Sequence, residues 1–318
     1  MVSRKNQVKF NMKANLIEQL KSMREVEKAA RETFKVRAYT GIIQQLEAWP
    51  GPLNTMADVD AAGFKGVGKG IRGKMEQIFA TGVIDKVEAQ RTYMEAVKDL
   101  TSVHGIGPVR AKELIQDHGI TSVVELIEHP ELLNPVQVKG LRYHLDMQKR
   151  IPRKEMDKHF ETLSKYIKGT FEVAGSYRRG AKDSGDIDVI ICAESGDEMQ
   201  NAINDLKAIG YMSETLASGP HKYMGVCKLP RHKTFRRIDI MWMEPPKYPF
   251  ALLYFTGSKE FNVRVRFAAM KRGFSLNEYG LTVLAKGGKT VDDIPTNLKT
   301  ERDVLDFLGV PFVAPENR

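Results

Sequence analysis

The chain has 318 residues, 42% hydrophobic and 28% charged, an ordinary globular composition that excludes a disordered or fibrous protein. Its length implies about two domains or more, and a net charge of +9 with a pI of about 9.3 favours a polyanionic partner. No apolar run reaches the roughly 18 residues of a membrane span, and the two cysteines, Cys192 and Cys227, lie in apolar stretches without ligand spacing, which reads as buried thiols in a reducing compartment.

Arg4, Lys5, Lys9 and Lys13 stand without an acid near the start and read as a flexible basic arm. From about residue 11 the pattern is helical. Leu16, Ile17, Leu20 and Met23 form one apolar stripe; Ile42, Ile43 and Leu46 form another before the breaker Trp49-Pro50-Gly51-Pro52. Helices continue to about residue 148. After Ile151-Pro152, strand-like runs appear at 171–174, 186–192, 223–229 and 236–243, with a helical segment near 197–208. A helical basic front half followed by an α+β half is the simplest parse.

Two segments of the front half resemble each other: "FKGVGKGIRGKMEQIFATG" from Phe64 and "VHGIGPVRAKELIQDHG" from Val103. Each has a Gly-hydrophobic-Gly turn followed by an amphipathic helix and a closing glycine. Gly66, Gly68, Gly105 and Gly107 permit a tight turn that exposes backbone N–H groups at a helix start. Such a hairpin can present N–H groups to a DNA phosphate without reading sequence.

In the second half, "GSYRRGAKDSGDIDVII" (residues 175 to 191) sets Asp186 and Asp188 into a β-branched run. Residues two apart on a strand share a face, so two carboxylates project together beside a core that cannot solvate them. Like charges at that spacing need a cation between them. Asp239, alone between isoleucines in "RRIDIMW", is the third candidate ligand. Three aspartates on neighbouring strands suit two Mg²⁺ ions, which clamp an in-line displacement at phosphorus. The alternative is a set of ion pairs with Arg178, Arg179, Arg236 or Arg237. Gly175-Ser176, the arginines and Ser184-Gly185 add small residues, hydroxyls and planar cations, a cradle for a triphosphate.

With these residues in view, the chain resembles the family X DNA polymerases, most closely the beta-like short form without an extra N-terminal module. The matching strings run in order along nearly its whole length: "GVG" with "FATG", "GIGP", "KRIPR", "GSYRRG" with "SGDIDV", "YMGVCKLP", "RRIDI", "YFTGS" and "GFSLNEYGL". The resemblance implies a multidomain chain. Residues 1–90 would be a helical lyase and DNA-binding domain and 91–150 a helical DNA-binding subdomain, each with one helix-hairpin-helix motif. An α+β nucleotidyltransferase palm would span 151–248, and a small α+β nucleotide-selecting subdomain 249–318.

It implies further that Asp186 and Asp188 bind both metals and that Asp239 binds the catalytic one and accepts the primer 3′-hydroxyl proton. Arg150, Ser176, Arg179, Ser184 and Gly185 would contact the triphosphate. Tyr254 and Phe255, before Gly257, would lie against the sugar; Asn262 would meet the base, and Arg266, supported by Glu278 and Tyr279, the template. Lys74 aligns with the Schiff-base lysine, its pKa expected to be lowered by Lys69 and Arg72. Lys35, Tyr39, Lys69, Lys86 and Arg237 would join the hairpin glycines in contacting DNA. The carbonyls of Thr101, Val103 and Ile106, and of Phe64 and Val67, would hold K⁺ or Na⁺. Mg²⁺ is the expected divalent ion, with Mn²⁺ an alternative.

The implied function is template-directed gap filling in base excision repair, with 5′-deoxyribose phosphate lyase activity. Its partners would be gapped or nicked DNA, deoxynucleoside triphosphates and a DNA ligase. A monomer with no membrane partner is expected inside the cell, in the nucleus first, with a mitochondrion or a viral factory or virion also fitting. A polymerase without significant lyase activity, a template-independent nucleotidyltransferase and a non-enzymatic DNA-binding protein share parts of the pattern. Four positions depart from the family: Gly70 for a phosphate-binding lysine, Phe34 for a histidine, Met241 for an arginine that pairs with a metal aspartate, and Lys259 for an acid.

Overall fold

The computed structural model describes residues 11–284 and 290–318; Arg4, Lys5 and Lys9 of the expected arm lie outside them. It divides into two compact units, one up to Thr101 and again over Gly107–Leu126, the other Ser102–Ile106 with Ile127–Arg318. None of the described helices is long and apolar enough to cross a membrane.

The smaller unit is helical: α1 (Met12–Ala29), α2 (Thr33–Ala48), α3 (Met56–Ala62), α4 (Lys69–Thr81), α5 (Asp85–Thr101) and α6 (Pro108–His118), with α7 (Val123–Ile127) at its end. Lys13 therefore belongs to a helix, and not to an arm. Local chemistry sets the boundaries. The Asn11 side chain accepts the Ala14 N–H ahead of α1, and Thr55 and Asp58 cap α3 reciprocally, devices worth about 1 kcal/mol each. Leu16, Leu20 and Met23 of α1 meet Ile42, Ile43 and Leu46 of α2 and Ile71, Met75 and Ile78 of α4. These are the two stripes legible in the sequence, joined by a third. Each fully buried aliphatic side chain contributes roughly 1.5–3 kcal/mol.

The larger unit runs α8 (Pro135–Met147), β1 (Ile151–Pro152), α9 (Arg153–Tyr166), β2 (Thr170–Val173), α10 (Gly175–Arg178), β3 (Asp183–Ser184), β4 (Ile187–Cys192), α11 (Asp197–Ala208), β5 (Met212–Ser218), β6 (Lys222–Cys227) and β7 (Arg236–Met243). Then come α12 (Tyr248–Thr256), α13 (Lys259–Lys271), the hairpin β8 (Phe274–Asn277) and β9 (Gly280–Val283), and α14 (Glu301–Phe307). Five strands form one sheet in the order β2-β4-β7-β6-β5. Only β4 and β7 pair in parallel; the other neighbours are antiparallel.

Alternation along β4 and β7 divides the sheet's two faces. Ile187, Val189, Ile191, Ile238, Ile240 and Trp242 pack with Met156 and Leu163 of α9 and with Met199, Ile203 and Leu206 of α11. On the other face Ile190, Met241 and Met243 pack with Ala174 and with Ala251 of α12. Asp188 and Asp239 belong to that second face by the same alternation. Beyond it, α12, α13 and α14 share a core of their own around Phe250, Leu253, Phe261, Val265 and Leu305. Cys192 and Cys227 are free thiols, and burial pushes Cys227 up to about 12.

The helical front and α+β back expected from the sequence are both present. Three expected strands move by a residue or so and the helix over 197–208 coincides with α11. The edge strand β5 had no sequence signal. Its residues MSETLAS are largely polar and its pairing with β6 is interrupted by two register irregularities, as suits a protected sheet edge.

Candidate active site

The site begins where β2 ends. The Ala174 N–H donates to the Asp188 carbonyl at 2.8 Å, and the chain then turns through Gly175 at a φ of 57°. A Cβ there would stand 2.5 Å from Asp188 Oδ2, so only glycine lets this backbone cross the carboxylate. Ser176 Oγ donates to Ser184 Oγ at 2.9 Å, tying α10 to β3. Arg179 Nη1 donates to the Thr256 carbonyl at 2.6 Å and Arg178 Nη1 to Thr256 Oγ1 at 2.7 Å. Arg178 Nη2 reaches Glu301 at 2.7 Å. Arg150 pairs with Asp183 at 2.7 Å and lies beside Gly185, whose absent Cβ would be 3.0 Å from Arg150 Nη1.

Asp188 and Asp239 are direct neighbours across the parallel β4–β7 pair. Asp188 keeps some surface toward the cavity but is otherwise enclosed. Burial, and then the Asp239 charge, push its carboxyl up to about 6; Lys222 and Arg179 oppose this. Asp239 Oδ2 meets Lys222 Nζ at 2.8 Å, while Asp239 Oδ1 is buried with no hydrogen-bond partner. Asp186 is paired with Arg237.

The ion-pair alternative is thus realised in part. Arg237 was among its arginines; Arg178, Arg179 and Arg236 are engaged elsewhere, Arg236 with Glu155 at 2.7 Å. Lys222 was outside the sequence reading. It lies directly opposite Met241 on the neighbouring strand, one diagonal from Asp239, within reach of a long side chain. Met241 itself is buried. Among the described residues, no three His, Cys, Asp or Glu side chains converge as a ready metal cage, because Asp186 and Asp239 face their cations. The donor set nevertheless fits a hard divalent ion. Asp239 presents an orphaned oxygen, Asp188 is strained by a like charge, and carboxylate oxygens are the ligands such ions take.

Arg150, Ser176, Arg179, Gly185, Asp186 and Asp188 line one side of a cavity of about 590 Å³, and Tyr254, Phe255, Gly257, Asn262 and Arg266 line the other, with Ser258, Lys259 and Val263. Ser184 is buried beneath it. The rings of Tyr254 and Phe255 meet edge to face at 4.9 Å. Asn262 Nδ2 donates to the Tyr254 carbonyl at 2.7 Å and the Arg266 guanidinium lies over the Tyr254 ring at 4.9 Å. Glu278 and Tyr279 stand apart in the β8–β9 turn.

The smaller unit has a pocket of its own, about 360 Å³, lined by Glu27, Phe34, Lys35, Tyr39, Gly70, Lys74 and Lys86 among others. Glu27 is 3% exposed and accepts from Lys86 at 2.7 Å and Lys35 at 3.4 Å. The Lys86 hydrogen bond lowers its pKa below the usual glutamate value, against the opposing effect of burial. Arg72 is held by Asp60 at 2.6 and 2.9 Å and by Glu76 at 3.1 Å. Its charge is therefore compensated by two carboxylates.

Each hairpin turn carries one left-handed glycine, Gly66 at φ 87° and Gly105 at 89°. Gly68 and Gly107 precede α4 and α6 without a side-chain cap, Lys69 opening the first helix. The N–H groups of the first turn, which in α6 begin only after Pro108, thus remain for an anion. The Val103 carbonyl accepts the Ile106 N–H at 3.1 Å and keeps a second lone pair. Phe64 packs against Trp49 at 5.5 Å, and Val67 packs on the same core.

Family models match four consecutive segments: a helix-hairpin-helix domain over residues 11–84, the fingers domain of DNA polymerase lambda over 98–148, the DNA polymerase beta palm over 150–245 and the DNA polymerase beta thumb over 251–318. The chain is similar to DNA polymerase lambda of Arabidopsis thaliana, 27% identical over 97% of this chain and 62% of that protein. It is similar also to DNA polymerase lambda of Rattus norvegicus, 27% identical over 97% of this chain and 56% of the relative. A third similarity is to the DNA polymerase/3'-5' exonuclease PolX of Bacillus subtilis, 25% identical over 90% of this chain and 51% of the relative. The chain thus spans little more than half the length of the curated relatives it matches.

Proposed function

Because this chain belongs to the family X DNA polymerases, we propose that it fills short DNA gaps by template-directed nucleotidyl transfer. The observation that carries this is the direct apposition of Asp188 and Asp239 across the β4–β7 pair, with Asp186 and Asp188 lining a cavity walled by arginine, hydroxyl and aromatic groups. Asp186, Asp188 and Asp239 would hold two Mg²⁺ ions, with Mn²⁺ an alternative. When bound, such ions offset the charge that builds on phosphoryl oxygens during in-line displacement.

The chain's own groups have separable tasks. Arg150, Ser176, Arg179, Ser184 and Gly185 bind and orient the triphosphate through planar cations, hydroxyls and close backbone. Asp239 takes the proton of the primer 3′-hydroxyl. Tyr254 and Phe255 lie against the sugar, and Asn262 and Arg266 meet the nascent pair. Arg237 and Lys222 must first release their aspartates, after which Arg237 is free for the DNA backbone.

The hairpin glycines hold DNA phosphates, with K⁺ or Na⁺ on the carbonyls of Thr101, Val103 and Ile106, and of Phe64 and Val67. In the pocket of the smaller unit, Lys74 attacks the C1′ aldehyde of a 5′-deoxyribose phosphate and water leaves. β-Elimination then takes the C2′ proton, breaks the C3′–O bond and frees the 5′-phosphate end, and water hydrolyses the imine to release the unsaturated sugar and restore the Lys74 amine. Lys35, Tyr39, Lys69 and Lys86 position that end. A ligase must follow, since the product is a nick. Function on cellular or viral DNA places the protein inside a cell. A polymerase with little lyase activity is the second reading, favoured by Gly70 and by Phe34, 83% exposed, where phosphate ligands are expected.

A gapped duplex carrying a 5′-deoxyribose phosphate, scored for both extension and lyase product, tests this directly. Template-dependent extension is expected; equal addition to a single strand without template would overturn it. Gly175→Ala sharpens the test. It adds a left-handed strain of about 1–2 kcal/mol and a methyl that must displace the Asp188 carboxylate. Single-turnover insertion should fall about tenfold or more with gapped-DNA affinity retained, and an unchanged rate would show that this crossing does not set the carboxylate.

A further inference from the structure

Helix α13 carries an apolar stripe that its own core does not use. Phe261, Val265 and Ala269 face inward, whereas Val263, Phe267 and Met270 are 60%, 55% and 58% exposed. The spacing of four and then three residues puts them on one face. The same helix carries Lys259, Arg264, Arg266 and Lys271 against a single acid, Glu260. The Lys271 ammonium lies 4.7 Å from the Phe267 ring centroid. Val263 lines the cavity with Asn262 and Arg266, so the stripe starts inside the candidate nucleotide site and leads out of it.

An exposed aromatic ring beside a cation is the pairing that holds single-stranded nucleic acid: the ring stacks on a base and the cation meets the phosphate. We propose that Phe267, with Met270 behind it, is a stacking platform for the first unpaired template nucleotide beyond the templating base. The proposal rests on the polymerase reading. Its direction follows from geometry. On the primer side every base is already stacked between paired neighbours and offers no free face, whereas an unpaired template base ahead of the insertion point does. Phe267 lies about 6 Å along the helix from Val263, more than the one base step of about 3.4 Å that separates the templating base from its unpaired neighbour. It is thus one helical turn out from the pocket. The partner is single-stranded template, so the platform acts only where the gap is longer than one nucleotide.

The experiment compares wild type, Phe267→Ala and Phe267→Tyr on a one-nucleotide gap and on a gap of about five nucleotides, at one salt concentration. Equilibrium binding and single-turnover insertion are both read. Phe267→Ala should lose about tenfold on the longer gap, the scale of one base–aromatic stack, and less than about twofold on the one-nucleotide gap; Phe267→Tyr should keep both. Loss of equal size on the two gaps, or on neither, overturns the proposal. So does concentration-dependent self-association in sedimentation that Phe267→Ala abolishes, which would give the stripe to a second copy of the chain. Should wild type bind but insert on neither substrate, the polymerase reading fails, while the ratio of binding between the two gaps still decides whether a base stacks here.

Discussion

Asp239→Ala is expected to lower single-turnover nucleotide insertion by about a thousandfold or more, because it removes a metal ligand and the proposed proton acceptor together. The structure adds two consequences that a mere loss of fold would not give. Asp188 loses the neighbouring charge that helps push its carboxyl up to about 6, so the thermal midpoint should hold or rise in the absence of divalent ions. Lys222 loses its 2.8 Å partner and its charge is no longer offset, so gapped-DNA affinity should not fall. Asp239→Asn keeps the shape and removes the charge, and should be as inactive as alanine. Extension within tenfold of wild type by either variant would sink the assignment.

The second large effect concerns Lys74. Lys74→Ala should remove roughly nine-tenths of the adduct that borohydride traps on 5′-deoxyribose phosphate DNA, while gap filling continues, since the candidate polymerase site belongs to the other compact unit. Residual trapping is expected through Lys35 or Lys86, which line the same pocket. Both are engaged with the buried Glu27 carboxylate, and an amine held in an ion pair is a poorer nucleophile than a free one. Glu27→Gln loosens both lysines and should raise trapping in the Lys74→Ala background. A wild type that forms no adduct would leave the smaller unit as a DNA clamp alone.

The parts of the site legible in the sequence were those whose signal is local. Asp186 and Asp188 stood out because charge interrupts a β-branched run, and the hairpins because glycine spacing repeats. The stripes of α1 and α2 announced their core by period. What sequence hid is cross-chain. Lys222 meets Asp239 only through the β6–β7 register, and no spacing within "HKYMGVC" announces that diagonal. Arg72 looked like a like-charge neighbour of Lys74, yet Asp60, twelve residues earlier, claims it. The stretch 153–166 is so rich in charge that its helical face around Met156, His159 and Leu163 passed unread beside the strands that follow.

The pairing of β4 with β7 has a consequence for how the protein comes into being. Parallel neighbours cannot be joined by a hairpin, and here α11, β5 and β6 all intervene between them in the chain. Asp188 and Asp239 therefore meet only after a long loop has closed, among the contacts that chain entropy makes slowest to form. A nascent chain that ends before β7 has the Gly-Ser turn, the arginines and two of the aspartates, but no centre able to hold reacting groups in line. The candidate centre is thus complete only when the sheet is, and under the proposed function a ribosome-bound or clipped fragment that lacks β7 is expected to be inert toward nucleotides.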